Sequence, residues 1–213
     1  MIDKWLSKSK LNNVFNTITK KFLFEKITAN QLTILGLITG SLSALSVFLS
    51  GILIWELELI ICSAILLIIS FFFDVLDGII ARLGQPTVFG GILDIFCDRT
   101  VEIFIIIAIV STDPLVLVYP GLFSLAAIVL CISMFLLIGG AYKLEEVEDQ
   151  RKVIYYRHGL MERSETLLFL LAITIIYFWR FILLWIFAIL VFITAILRLR
   201  DAYILFKKYD SIL

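Results

Sequence analysis

The sequence is short of the residues that most soluble catalytic and metal centres draw on. It has one histidine in 213 residues, His158, set in a charged stretch between Arg157 and Gly159. A histidine-built zinc site is excluded, and a surface or headgroup-facing position suits His158 better than a catalytic one. The three cysteines, Cys62, Cys97 and Cys131, lie in apolar segments without C-x2-C spacing. That excludes a thiolate cluster and leaves them as small packing residues. Charged residues make up only 17% of the chain and the net formal charge is zero, so the total names no partner and no nucleic acid is expected. The first 26 residues are polar and basic, with no apolar core ahead of a cleavage site, so no signal peptide is expected either.

What the chain has in abundance is apolar surface. It is 62% hydrophobic, where a soluble domain runs at about 45–50%, and its mean hydropathy is +1.07. The expected fold is all-α and integral to the membrane, a single domain over 1–213 with six spans of roughly 20 residues each. The apolar runs place them at about 31–54, 58–82, 91–110, 115–140, 166–178 and 181–198, the fifth being short for a span. Ahead of the 28–213 bundle, residues 1–27 read as an interfacial amphipathic helix. Leu11, Phe15, Ile18 and Phe22 recur at helical spacing with Lys8, Lys10, Lys20 and Lys21 around them. Thr28 or Asn30 can cap the first span, and Gly36, Gly40, Ser43 and Ala44 give it a small-residue face for close helix packing. Ser111 to Pro114 is a turn, span four ends at Gly139-Gly140, and residues 141–166 are densely charged. With six spans, seventeen of the eighteen lysines and arginines fall on one side and only Arg180 on the other. Both termini, and the charged ends of spans two and three, are then cytoplasmic in a multi-pass protein of the cytoplasmic membrane.

Those charged ends concentrate the chemistry. Asp74 and Asp77 close span two, and Asp94 and Asp98 open span three. Spacings of three and four put each pair on one helix face. The intervening loop, with Gly84, Pro86 and Gly90, is short enough to bring all four carboxylates to one space. Two carboxylates about 4 Å apart repel by roughly 4 kcal/mol at an effective dielectric of about 20. Raised pKa values offset this, or divalent metal does. An all-oxygen set favours Mg2+ or Mn2+, and also Ca2+, over zinc. Two such ions would clamp an in-line displacement at phosphorus. Arg99 and Glu102, three residues apart, pair with each other or leave Arg99 for a phosphate.

The full pattern is D-x2-D-G-x2-A-R-x7-G-x3-D-x3-D, with Asp74, Asp77, Gly78, Ala81, Arg82, Gly90, Asp94 and Asp98 at its eight fixed positions. It resembles the motif of the CDP-alcohol phosphatidyltransferases. The stretch I-T-A-N-Q-L-T is similar to the T-P-N-x-L-T that opens that family's first span, with Ala29 in place of the proline. The resemblance implies transfer of a phosphatidyl-type group from a CDP-activated lipid to an alcohol, with release of CMP, in phospholipid biosynthesis. It implies metal at Asp74, Asp77, Asp94 and Asp98, CMP contacts at Gly78, Ala81, Arg82 and Gly90, and the role of general base for Asp98. It also implies a homodimer.

The acceptor is less firmly written. F-G-G-I-L-D-I-F-C-D-R and G-L-M-E-R (Gly159 to Arg163) resemble elements of phosphatidylinositol-phosphate synthases. That implies a phosphorylated or polyhydroxylated acceptor such as inositol phosphate, with Arg163 as its anion contact; Arg151, Arg157 or Lys152 can substitute for the arginine those synthases carry after the fourth span. The arginine-bearing element that follows the fourth span in those synthases is replaced here by A-Y-K-L-E-E. Synthesis of phosphatidylglycerol phosphate or phosphatidylserine remains an alternative. A reading from another class is a divalent-cation transporter, since carboxylates in spans also line ion pathways. Against it, the acids cluster at one end, and no second D-x2-D-G marks a repeated half.

Overall fold

A computed structural model describes residues 27–84, 87–146, 161 and 163–210. The described residues form six α-helices and no strand. They are α1 (Ala29–Ser50), α2 (Glu56–Leu83), α3 (Val88–Thr112), α4 (Pro114–Glu146), α5 (Arg163–Ile175) and α6 (Arg180–Asp210), with a 3-10 turn at Tyr177–Trp179 before α6. Four segments are long and apolar enough to cross a membrane: Ala29–Ser50, Glu56–Leu83, Pro114–Gly140 and Tyr177–Ile204. Helix α3 is long but carries Asp94, Asp98, Arg99 and Glu102, and α5 has only 13 residues. The amphipathic segment expected at 1–27 lies outside the described residues but for its last residue.

Local signals account for the starts of α1 and α3. Thr28, not Asn30, caps α1. Its hydroxyl accepts from the Gln31 amide while the Gln31 side chain accepts from the Thr28 amide, a reciprocal capping box. Thr87 caps α3 by accepting from the Gly90 amide at 3.0 Å. Several boundaries differ from expectation. Helix α5 runs over Arg163–Ile175 instead of 166–178, and α3 and α4 leave only Asp113 of the expected Ser111–Pro114 turn outside a helix. Helix α1 stops at Ser50, where Gly51 turns the chain, instead of running to 54. Helix α4 continues through Gly139-Gly140 to Glu146, because the following A-Y-K-L-E-E is made of good helix formers. Helix α6 likewise runs past 198 to Asp210.

Helices α1, α2 and α3 pack as one group, and α4 packs along α6, with α5 between the two. The expected small-residue face of α1 is its buried face: Gly36, Gly40, Ser43 and Ala44 are all inside. There the Ser70 hydroxyl donates to the Gly36 carbonyl at 2.7 Å, and Ser43 bonds Ser63 at 2.8 Å. Large side chains face outward instead, among them Ile34, Ile38, Leu42 and Leu45 on α1 and Ile61, Ile65 and Ile68 on α2. Small residues inside with large apolar ones outside is the distribution expected of helices packed in lipid. Val47, Ile105, Ile109, Leu170, Ile173, Leu184 and Phe187 build a core that joins α1, α3, α5 and α6. Cys97 is buried and Cys131 half-buried, but Cys62 is exposed, so packing explains two of the three cysteines.

At the far end of the bundle Arg180 is 4% exposed. It donates to the carbonyls of Ile173 and Thr174, which end α5, and to the Thr112 hydroxyl, which ends α3. A buried cation thus closes carbonyls at the end of α5.

Candidate functional site

The turn between α2 and α3 folds the two charged helix ends back on each other. The Gly84 amide closes the last turn of α2 on Ile80, and Thr87 restarts the chain as α3. Asp74 and Asp77 then lie within the last three turns of α2, and Asp94 and Asp98 in the second and third turns of α3. Asp74, Asp94 and Asp98 each offer an oxygen within 4.8 Å of the others. At that distance each ionised pair repels by roughly 3–4 kcal/mol for an effective dielectric near 20. Three pairs come to about 10 kcal/mol, comparable to the whole stability of a domain. Three half-buried carboxylates from two helices, with only oxygen donors, fit a hard divalent cation.

Asp77 does not join that group. It is 5% exposed, and its Oδ2 accepts from the Thr33 hydroxyl of α1 at 2.7 Å. It still shares a narrow cavity of about 20 Å³ with Asp74, Asp98, Thr33 and Cys97. Cys97 lines the same cavity. It lies one residue before Asp98 and faces α1 and α2 rather than lipid. So three of the four carboxylates converge directly, and the fourth is held beside them by a hydroxyl.

The positions that the resemblance assigns to CMP line neither cavity that the aspartates share. Gly78 and Ala81 are half-buried and Arg82 is exposed. A methyl group added at Gly78 would meet only the tip of Arg82, at 3.5 Å. Protein packing therefore leaves Gly78 free to carry a side chain. At Gly90 an added Cβ would lie 2.9 Å from Thr87 Oγ1 and 3.1 Å from Asn30 Oδ1, so here the capping geometry itself requires glycine.

A second cavity, of about 200 Å³, adjoins the cluster. Asp94 and Asp98 form one wall, and Arg99, Thr166 and Arg198 contribute its other polar groups. Asp98 lines both cavities and so stands at their junction. Arg99 is paired with Glu102 at 2.6 Å, which answers the question left open by their spacing. Arg198 donates to the Cys131 carbonyl at 3.0 Å and lies over the Phe135 ring at 5.4 Å. Sequence reasoning did not single out Arg198. Its distance from the motif hid it, although an arginine at the end of an apolar run was a usable signal. Arg163 opens α5, between Met161 and Thr166, which both line this cavity. The Arg163 side chain, Arg151 and Arg157 lie outside what is described.

Comparison with known proteins identifies the family and the fold. The model of the CDP-alcohol phosphatidyltransferase family matches residues 26–196. The chain belongs to the CDP-alcohol phosphatidyltransferases. Among individual proteins it is 29% identical over 216 residues to a bifunctional IPC transferase and DIPP synthase of Aquifex aeolicus (strain VF5). The match takes in 99% of this chain but 46% of that longer protein, so this chain spans about half its relative's length. Two crystal structures of Mycobacterium tuberculosis phosphatidylinositol phosphate synthase share the fold, each with a TM-score of 0.68. One, with CDP-DAG bound, is 21% identical, and the match covers 90% of this chain and 94% of that one. The other, with manganese and citrate, is 22% identical, with 89% and 88% covered.

Proposed function

We propose that the chain is a metal-dependent transferase that moves a phosphatidyl-type group from a CDP-activated lipid to an alcohol acceptor and releases CMP. The observation that carries this is the position of Asp98, which belongs to the oxygen-donor cluster and also faces the arginine-lined cavity. Donor and acceptor can therefore meet at one carboxylate. Asp74, Asp94 and Asp98 would hold Mg2+ or Mn2+, two ions per site, with Asp77 as the fourth ligand. When bound, the metal supplies positive charge for the donor pyrophosphate and for the departing CMP.

The chain's own residues do the rest. Gly78 leaves room for the nucleotide against α2, beside Ala81, and Arg82 offers a fork of donors to phosphate. Gly90, with Thr87 and Asn30 around it, forms the opposite rim. Asp98 accepts the proton of the acceptor hydroxyl as that oxygen attacks phosphorus and the bond to CMP breaks. Arg198 and Arg99 supply positive charge where an acceptor phosphate would lie, with Arg163, Arg157 and Arg151 as further contacts. This favours an inositol phosphate or similar polyol phosphate as acceptor.

The same reading makes the protein integral to the membrane as one domain, with six spans and an amphipathic N-terminal helix. The outward apolar faces support it. Orientation follows from charge. Arg82, Arg99, Arg198 and Arg200 gather at the site's end, while Arg180 lies with Glu56 and Asp113 around a cavity at the other. The site is then cytoplasmic. A homodimer is part of this proposal.

The test is CMP release by purified protein with Mg2+ and a CDP-activated lipid, offering inositol phosphate, inositol, glycerol phosphate and serine in turn. CMP with one acceptor, abolished by Asp98→Asn, is the expected result. No CMP with any of them would refute the proposed reaction.

A further inference from the structure

The reaction as proposed leaves one fully buried carboxylate without a task. Glu102 is 0% exposed, one helical turn beyond Asp98 on α3. Its Oε1 accepts from the Thr166 hydroxyl of α5 at 2.8 Å, and its Oε2 lies 2.6 Å from Arg99 Nη1. Glu102 itself does not line the 200 Å³ cavity, but both of its partners do. A carboxylate taken out of water at this depth is costly unless it is paired and hydrogen-bonded. Packing alone gives no reason for a charge here, since an apolar or amide side chain fills such a position as well. What the charge adds is an anchor. Glu102 Oε2 is in ion-pair contact with one end of the Arg99 guanidinium, and Arg99, 25% exposed, is among the residues that line the cavity. The Thr166 bond ties that arrangement to α5 across the bundle.

We propose that Glu102 is a positioning residue for the acceptor: from behind the cavity wall it fixes Arg99 and Thr166 in register, so that its loss weakens acceptor capture and leaves donor binding intact. This rests on the transferase reading above. It assigns Glu102 no contact with either substrate.

The test compares unmodified protein with Glu102→Gln, Arg99→Gln and the double variant. CMP release is followed against acceptor and, separately, against CDP-activated lipid. The acceptor is whichever of inositol phosphate, inositol, glycerol phosphate and serine releases most CMP with unmodified protein. Glu102→Gln keeps the shape and removes the charge. It is expected to raise the acceptor KM about tenfold or more, the scale of a misaligned charge-assisted bond, with donor KM within about twofold. The double variant should be no worse than Arg99→Gln alone, because both remove one interaction. Multiplying effects, an unchanged acceptor KM, or an equal rise in donor KM would overturn the inference. Should Glu102→Gln fail to fold, Thr166→Val and Thr166→Ser decide. A raised acceptor KM in the first that the second restores supports the inference, and no change in the first overturns it. Unmodified protein that releases no CMP overturns this together with the transferase reading; active unmodified protein that is indifferent to Glu102 overturns this alone.

Discussion

Gly40 offers the sharpest link between helix packing and the acidic cluster. A Cβ at this position of α1 would lie 2.5 and 2.7 Å from the two Cγ atoms of Val101 on α3, and 3.0 Å from Ser70 Oγ on α2. Ordinary carbon contacts are about 3.5–4.0 Å, so Gly40→Ala falls about 1 Å short of room. Val101 is buried and cannot swing clear, so α3 must move off α1. Overpacking of this kind costs roughly 1–3 kcal/mol, or a fall in melting temperature of roughly 3–10 °C for a chain of this size. The larger consequence is functional. Val101 is one turn from Asp98, and Ser70 one turn from Asp74, while a working site tolerates displacements of only about 0.5 Å. Gly40→Ala should therefore raise the Mg2+ concentration needed for half-maximal CMP release about tenfold or more. Val101→Ala removes both offending atoms, and the double variant should recover stability and the Mg2+ requirement together. Melting in detergent and a Mg2+ titration of CMP release are the assays. A single variant that behaves like the parent, or a double variant that brings no relief, would refute the packing argument.

Other substitutions separate the parts of the site. Thr33→Val removes the hydroxyl that holds Asp77; it should raise the Mg2+ requirement roughly tenfold with activity retained at saturating Mg2+, while Thr33→Ser stays close to the parent. Gly78→Ala meets no steric obstacle in the protein, so its melting temperature should hold while the KM for CDP-activated lipid rises, a split that direct kinetics would show. Arg180→Met strands two helix-end carbonyls and removes the donor to the Thr112 hydroxyl. It should lower stability by about 2–4 kcal/mol without altering donor KM, as thermal unfolding and CMP release would show side by side.

The division between what the sequence carried and what it did not is physical. Motif residues are close in the chain, so helical period and a short glycine-containing loop are enough to bring Asp74, Asp94 and Asp98 together. The Arg99–Glu102 pair is likewise one turn apart. Helix positions followed from apolar runs, and the buried face of α1 from its small residues. What stayed hidden depends on pairing between distant segments. Thr33 is 44 residues from Asp77, Thr166 is 64 from Glu102, and Arg198 is 67 from Cys131. No periodicity encodes such partners; they depend on how α1, α5 and α6 dock. The extension of α4 past two glycines escaped for the opposite reason. Glycine is only a weak local penalty, and the helix formers beyond it outweigh it.

The central claim is that Asp74, Asp94 and Asp98, with Asp77 beside them, form a divalent-metal centre. Binding of Mn2+ to the purified protein, followed by the loss of its free-ion paramagnetic resonance signal, tests this most directly, and it needs no substrate. The account predicts saturable binding of two ions per chain, lost or strongly weakened in Asp94→Asn and Asp98→Asn. It predicts a matching rise in thermal stability of about 2.7 kcal/mol for each ion bound at a hundredfold excess over Kd, in the parent alone. Mn2+ binding that is absent, or that survives unchanged in both variants, would contradict it.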